Sequence, residues 1–184
     1  MPTHSETRTL PYSARQMYDL VADVTQYPKF LPWCAATRVR SLEENGDGTQ
    51  LMKADMVISF KVFRERFGTV VNLNPAETKL HIEYLDGPFK YLKSQWEFTD
   101  TAEGCDVKFF VDFEFKNAVL QGIIGVVFNE AMHRIVRAFE RRAAELYSCI
   151  WATTIGMLPY LTSITLPTFR ALQIQCAAST VNSA

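Results

Sequence analysis

The stretch Val107-Lys-Phe-Phe-Val-Asp-Phe-Glu-Phe115, VKFFVDFEF, decides the fold. Val107, Phe109, Val111, Phe113 and Phe115 take one face, and Lys108, Phe110, Asp112 and Glu114 take the other. A period of two marks a strand with one side on a core and one in water. The period then changes to about 3.6. Between Val119 and Tyr147, Leu120, Ile124, Val127, Phe128, Ala131, Ile135, Ala138, Phe139 and Leu146 fall on one side. Arg134, Arg137, Arg141, Arg142 and Glu145 fall on the other. This predicts an amphipathic helix roughly 43 Å long. Gly122 and Gly125 near its start weaken it and permit a kink or close backbone approach.

Reading backwards from VKFFVDFEF, the alternation recurs. Trp96 and Phe98 alternate with Gln95 and Glu97, and Leu80, Ile82 and Tyr84 with His81 and Glu83. Met52, Ala54, Met56, Ile58 and Phe60 share a further face, and Arg38 to Glu43 forms another strand. The breaks NGDG (45–48), NPAET (74–78), DGP (86–88) and AEGCD (102–106) are turns, because Gly, Asn, Asp and Pro supply the backbone angles that turns need. Before them stand a short strand, Ser5–Leu10, and a helix over Ala14–Asp23 with Ser13 as N-cap. Its face is Ala14, Met17, Tyr18, Val21 and Ala22. Between helix and sheet lies Tyr27-Pro-Lys-Phe-Leu-Pro-Trp-Cys34, YPKFLPWC. Its two prolines exclude a helix interior or a central strand, so it is a loop or a single helical turn carrying aromatic weight.

The fold class is α+β: a curled antiparallel sheet of about six to seven strands wrapped around a long C-terminal helix. The inward positions are crowded with large rings, and a twisted sheet gripping a helix leaves a cavity at one end. We expect the bore at Met56, Ile58, Phe60, Trp96, Phe98, Phe113, Val127, Phe128 and Ala131. We expect the mouth at Phe30, Leu31, Trp33, Pro88 and Phe89, on the two proline-bounded apolar loops.

Composition narrows the function. The chain has 184 residues, enough for one domain with a core and an extension. The net charge of -1 gives no bulk attraction to nucleic acid, and no DNA partner is expected. Cys34, Cys105, Cys149 and Cys176 have no metal-ligand spacing, so no metal is expected and the thiols read as reduced. MPTHSETRTL lacks the basic and apolar regions of a signal peptide and the Arg-rich character of a transit peptide. Residues 148–184 differ in kind, with Arg170 their only charged side chain. Cys149 to Phe169 could span a bilayer by length, but its Thr, Ser, Gly and Pro content favours a packed or irregular tail. The expected division is a domain over 1–147 and a low-charge tail over 148–184.

Catalytic signals are scarce. No Gly-rich phosphate loop, G-x-S-x-G elbow or H-E-x-x-H helix is present. His4 reads as lying at a frayed end, His81 on a polar strand face and His133 on the helix, each a solvated or capping imidazole. Asp112 and Glu114 share a face with Lys108, as solvated carboxylates do. No catalytic residue is assigned and no cofactor is required.

YPKFLPWC, LDGPFKYLKSQWEF and VDFEFKN, in that order and followed by a long helix, resemble the coenzyme Q-binding and ribosome-association toxin (RatA) family of the START-like, polyketide-cyclase-related (SRPBCC) superfamily. The resemblance covers about residues 3–147. It implies a helix-grip fold with an apolar tunnel. For the quinone-binding branch it implies non-catalytic binding of ubiquinone, or a similar isoprenoid lipid, in support of respiration and ubiquinone biosynthesis. On that reading the protein is cytoplasmic and peripheral to the inner membrane of a bacterium. Phe30, Leu31 and Trp33 would touch the lipid interface transiently, with Lys29, Lys90 and Lys93 near its head groups. The toxin branch implies instead a partner on the large ribosomal subunit, met through Arg134, Arg137, Arg141 and Arg142, and a block on subunit joining. A polyketide cyclase-like enzyme in the same cavity is the third alternative.

Overall fold

The computed structural model describes residues 3–60 and 63–154, the side chains of 63, 123–127 and 148–154 excepted. Seven strands form one antiparallel sheet: β1 (Thr3–Leu10), β2 (Cys34–Glu44), β3 (Gln50–Phe60), β4 (Phe63–Asn74), β5 (Lys79–Asp86), β6 (Phe89–Thr101) and β7 (Gly104–Phe115). Their spatial order is β1-β7-β6-β5-β4-β3-β2. Strands β2 to β7 each pair antiparallel with the next, and the four turn signals fall at every connection but that of β3 with β4. β1 closes onto β7 in continuous register, from Thr3 opposite Asp112 to Leu10 opposite Cys105. His4 therefore lies within a paired strand, opposite Val111, and not at a frayed end.

The sheet is open, with β1 and β2 at its edges, so the chain between them must cross from one side to the other. Helix α1 (Ala14–Ala22) begins that crossing. Ser13 and Gln16 form a reciprocal capping box, and Asp100 accepts from the Ala14 amide at 2.7 Å. Its buried face is Ala14, Met17, Tyr18, Leu20 and Val21, with Tyr18 edge-on to Phe98. A 3-10 turn over Val24–Gln26 leads into α2 (Tyr27–Phe30), the single helical turn expected in YPKFLPWC.

The concave face carries Met52, Ala54, Phe67, Val71, Leu73, Leu80, Trp96, Phe98, Val107, Phe109 and Phe113, all buried. Helix α3 runs from Ala118 to Thr154, past the end expected at Tyr147. The expected boundary at 147/148 thus falls inside a helix, and the rest of the 148–184 tail, from 155 onward, lies outside the described residues. Residues 1–143 form one compact unit, which holds every site discussed below. No described helix is long and apolar enough to cross a membrane.

Candidate functional site

The residues expected to line one bore fall into three places. Phe113 and the α3 residue Phe128 meet at 5.6 Å, and Phe113 also touches Phe89 and Phe115. Ala131, one turn beyond Phe128, is buried. Trp96 stacks on Phe109 at 4.2 Å and lies near Phe98 and Phe139. Met56, Ile58 and Phe60 are half-buried on β3, four strands from β7, or about 19 Å along the sheet. The Val127 side chain lies outside the described residues.

Between the sheet and α3 the described residues line an apolar cavity of about 30 Å³, room for a water or two against the ~300 Å³ of a small-molecule site. Leu10, Met17, Val107, Phe109, Trp96, Val136 and Phe139 bound it. Of the expected bore only Trp96 does so. A larger groove of about 280 Å³ is lined mostly by polar residues, among them Asn72, His81, Gln95 and Glu97.

Three charged residues complete the lining of the apolar cavity: Glu6 and Arg8 on β1 and Glu140 on α3. Arg8 donates from Nε to Glu6 and from Nη1 to Glu140 at 2.8 Å, joining strand edge to helix. His4 Nε2 lies 3.1 Å from the other Glu6 oxygen, with its ring against Phe109, Phe128 and His133. Burial works to raise the Glu6 pKa, but the hydrogen bonds from Arg8 and His4 outweigh it and hold the carboxyl below its ordinary range. The Arg8 guanidinium is held above its own, led by the bond to Glu6. Sequence reading missed this row. Its signal was the alternation His4, Glu6, Arg8, Leu10 against Thr3, Ser5, Thr7, Thr9, which puts the charges on Leu10's face.

The expected mouth is folded inward. Tyr27 is buried and its hydroxyl donates to the Val21 carbonyl. Phe30 packs on Tyr27 and, at 5.2 Å, on Phe139 of α3. Trp33 stands edge-on to Phe60 at 5.4 Å, with the Arg134 guanidinium 5.9 Å from its centre. Phe30, Leu31, Trp33 and Pro88 are half-buried. Phe89 is buried among Phe67, Tyr84, Phe113 and Phe115 instead of lying on a rim. YPKFLPWC is thus a cap joining α3 to the end of β3.

Burial pushes the Cys34 and Cys105 thiols up to about 11, so both are protonated and unreactive at neutral pH. His81 pairs with Glu83 at 3.2 Å, and His133 is exposed. No group of His, Cys, Asp and Glu able to hold a metal occurs among the described residues.

The geometry, a seven-stranded antiparallel sheet gripping a long C-terminal helix over an aromatic interior, has counterparts. A family model described as polyketide cyclase / dehydrase and lipid transport matches residues 10–140. The chain belongs to this family. The ribosome association toxin RatA of Escherichia coli K12 is 40% identical over 149 residues, covering 80% of this chain and 90% of that protein. The coenzyme Q-binding protein COQ10 homolog B of Xenopus laevis is 32% identical, covering 78% of this chain and 59% of that protein. Among solved structures, an 18 kDa Caulobacter crescentus protein superposes with a TM-score of 0.68 at 32% identity, covering 80% of this chain and 99% of that one. The helix-grip, START-like architecture and the kinship with both named branches are established on these grounds.

Proposed function

We propose that this member of the family holds an isoprenoid quinone, of which ubiquinone is the type, between the concave sheet and α3, without acting on it chemically. The observation that carries this reading is the apolar cavity edged by Arg8, Glu6 and Glu140. A hydrocarbon interior with a guanidinium at its margin suits a molecule with an isoprenoid tail and a carbonyl-bearing head. Each buried CH₂ of the tail contributes about 0.8 kcal/mol, and a guanidinium is a strong donor to a carbonyl. The cavity is too small for that guest as it stands, so entry requires the rings of Trp96, Phe139 and the cap residue Phe30 to swing aside. The name of the Xenopus relative supports the ligand class. Roles in respiration and quinone biosynthesis, at the cytoplasmic surface of the inner membrane, belong to the same proposal. Cys34 and Cys105, buried and protonated, do not serve this reading as nucleophiles. A cyclase-like reaction, in keeping with the family description, is the rival on that point.

Thermal denaturation with quinone head groups bearing zero to three isoprene units tests the ligand. The midpoint rises with each added unit if an apolar interior takes the tail. A shift that depends on the head group alone, or no shift, overturns the reading.

A second reading, association with the large ribosomal subunit, is favoured by the arginines of α3. Arg134, Arg137 and Arg141 are exposed along one side of the helix, while Arg142 is half-buried. The name of the Escherichia coli relative supports it. Its test is a sucrose-gradient profile of ribosomes with the protein added: a fall in joined ribosomes supports it, and an unchanged profile refutes it.

A further inference from the structure

Trp33 occupies a turn position that favours glycine. The Cys34 amide donates to the Leu31 carbonyl at 3.4 Å, Pro32 is the second residue, and Trp33 has a φ of 63°. This is the pattern of a type II turn, whose third residue needs positive φ. Backbone strain retained around an aromatic side chain points to a use for that side chain. The turn holds the half-buried indole nearly perpendicular to Phe60, with the Arg134 guanidinium over one ring face at 5.9 Å, so the platform it offers is the indole together with that guanidinium. Arg134, Arg137 and Arg141 continue along α3 at the spacing that shares one face. Lys29 is exposed on α2, just before the turn. Glu130 engages Arg134 at 2.7 Å, but Arg137 and Arg141 form no ion pair among the described residues.

We infer that this ledge binds single-stranded RNA, with the Trp33 indole stacking on a base and Arg137 and Arg141 taking phosphates. Single strands are held by aromatic platforms for bases and by cations along the backbone. The planar guanidinium grips a phosphate through two hydrogen bonds at once, which an ammonium cannot do. The cations of α3 in this stretch are all arginine. A lipid surface fits less well, because Phe30, the ring that would enter it beside the indole, packs on Tyr27 and Phe139. With a net charge of -1, attraction to RNA comes from the ledge and not from the chain as a whole. The inference rests on the ribosome-association reading for its choice of nucleic acid and for the arginine face, and adds to it a base contact at Trp33 and a single-stranded target.

The test is fluorescence anisotropy of a labelled single-stranded oligouridylate titrated with the full chain at several salt concentrations. Binding weakens with salt, and Arg137→Gln and Arg141→Gln each lower the log–log salt slope by about 0.7. Trp33→Gly, which suits the turn, weakens binding roughly tenfold by loss of one stacking contact. Wild-type chain that ignores the oligonucleotide, variants that bind like wild type, or retention by anionic phospholipid vesicles without RNA binding each overturn the inference. Cosedimentation with isolated large subunits separates the two claims. If folded Arg137→Gln/Arg141→Gln chain sediments as wild type does, the ledge is wrong and the ribosome reading stands. If neither sediments, both fall.

Discussion

Replacing Trp33 by glycine and by alanine should give the reverse of the usual ranking. In most regular positions glycine is less stable than alanine by roughly 0.5–1 kcal/mol, because it loses more backbone freedom on folding. Here φ is 63°, in the left-handed region, where a Cβ costs about 1–2 kcal/mol. Both variants lose the ring pair with Phe60 at 5.4 Å, worth about 0.5–1.5 kcal/mol with its share of apolar contact on top. Alanine keeps the strain, whereas glycine releases it. The expected losses are about 2–3 kcal/mol for Trp33→Ala and about 1–2 kcal/mol for Trp33→Gly. With a urea m-value near 2 kcal/mol/M, the glycine variant should unfold at a midpoint about 0.5 M higher than the alanine variant. Circular dichroism through a urea titration reads this directly. An alanine variant equal to or more stable than the glycine variant would refute the strained turn, and with it the argument that the indole is held there for use.

Four more consequences can be checked alongside. Gly104 has a φ of +141° and an added Cβ would sit 2.0 Å from the Leu10 carbonyl oxygen, so Gly104→Ala must displace β1 and should cost upward of roughly 3 kcal/mol in urea unfolding. At Gly46 an added Cβ meets nothing within 4 Å, and Gly46→Ala should stay within about 0.5 kcal/mol of wild type in the same assay. Phe139→Ala removes a buried ring that touches Tyr27, Phe30 and Trp96. It should cost about 3–5 kcal/mol, and the enlarged cavity should bind benzene, seen as a rise in melting temperature for the variant alone. Cys34 and Cys105, with pKa values pushed up to about 11 by burial, should resist iodoacetamide at pH 8 until the chain is unfolded, as site-resolved mass spectrometry would show. Because the unfolded chain releases these thiol protons first, stability should fall as pH rises from near 9 towards 11, and these thiols should have no effect on stability below that window.

Much of the fold was legible because one-sided burial leaves a period in the sequence. The odd positions of VKFFVDFEF, Val107 to Phe115, formed the inward face of β7, Ser13 with Gln16 marked the start of α1, and NGDG and DGP placed hairpins. The reach of α3 past Tyr147 was not legible, since Ser148 to Thr154 carry neither a helical stripe nor a stop signal. The site was less readable. Periodicity tells which face a ring takes, not which neighbour it meets, so it could not separate Trp96, which lines the apolar cavity, from the other expected bore residues that pack elsewhere. Phe89 looked like a rim residue because it follows a proline turn, yet the bulge between Phe89 and Tyr91 turns its ring into the core. The Glu6–Arg8–Glu140 row joins residues far apart in sequence, and no local pattern announces the pairing of Arg8 with Glu140 across 132 positions.

The central claim is that the interior opens to hold a greasy guest. Organic extraction of protein purified from its native membrane-containing lysate, followed by mass spectrometry of the extract, measures this most directly. An isoprenoid quinone recovered in near one-to-one ratio with the chain, and lost from the Phe139→Trp chain, is the outcome the account requires. Extracts holding no isoprenoid compound above the level of a washed control protein would contradict it.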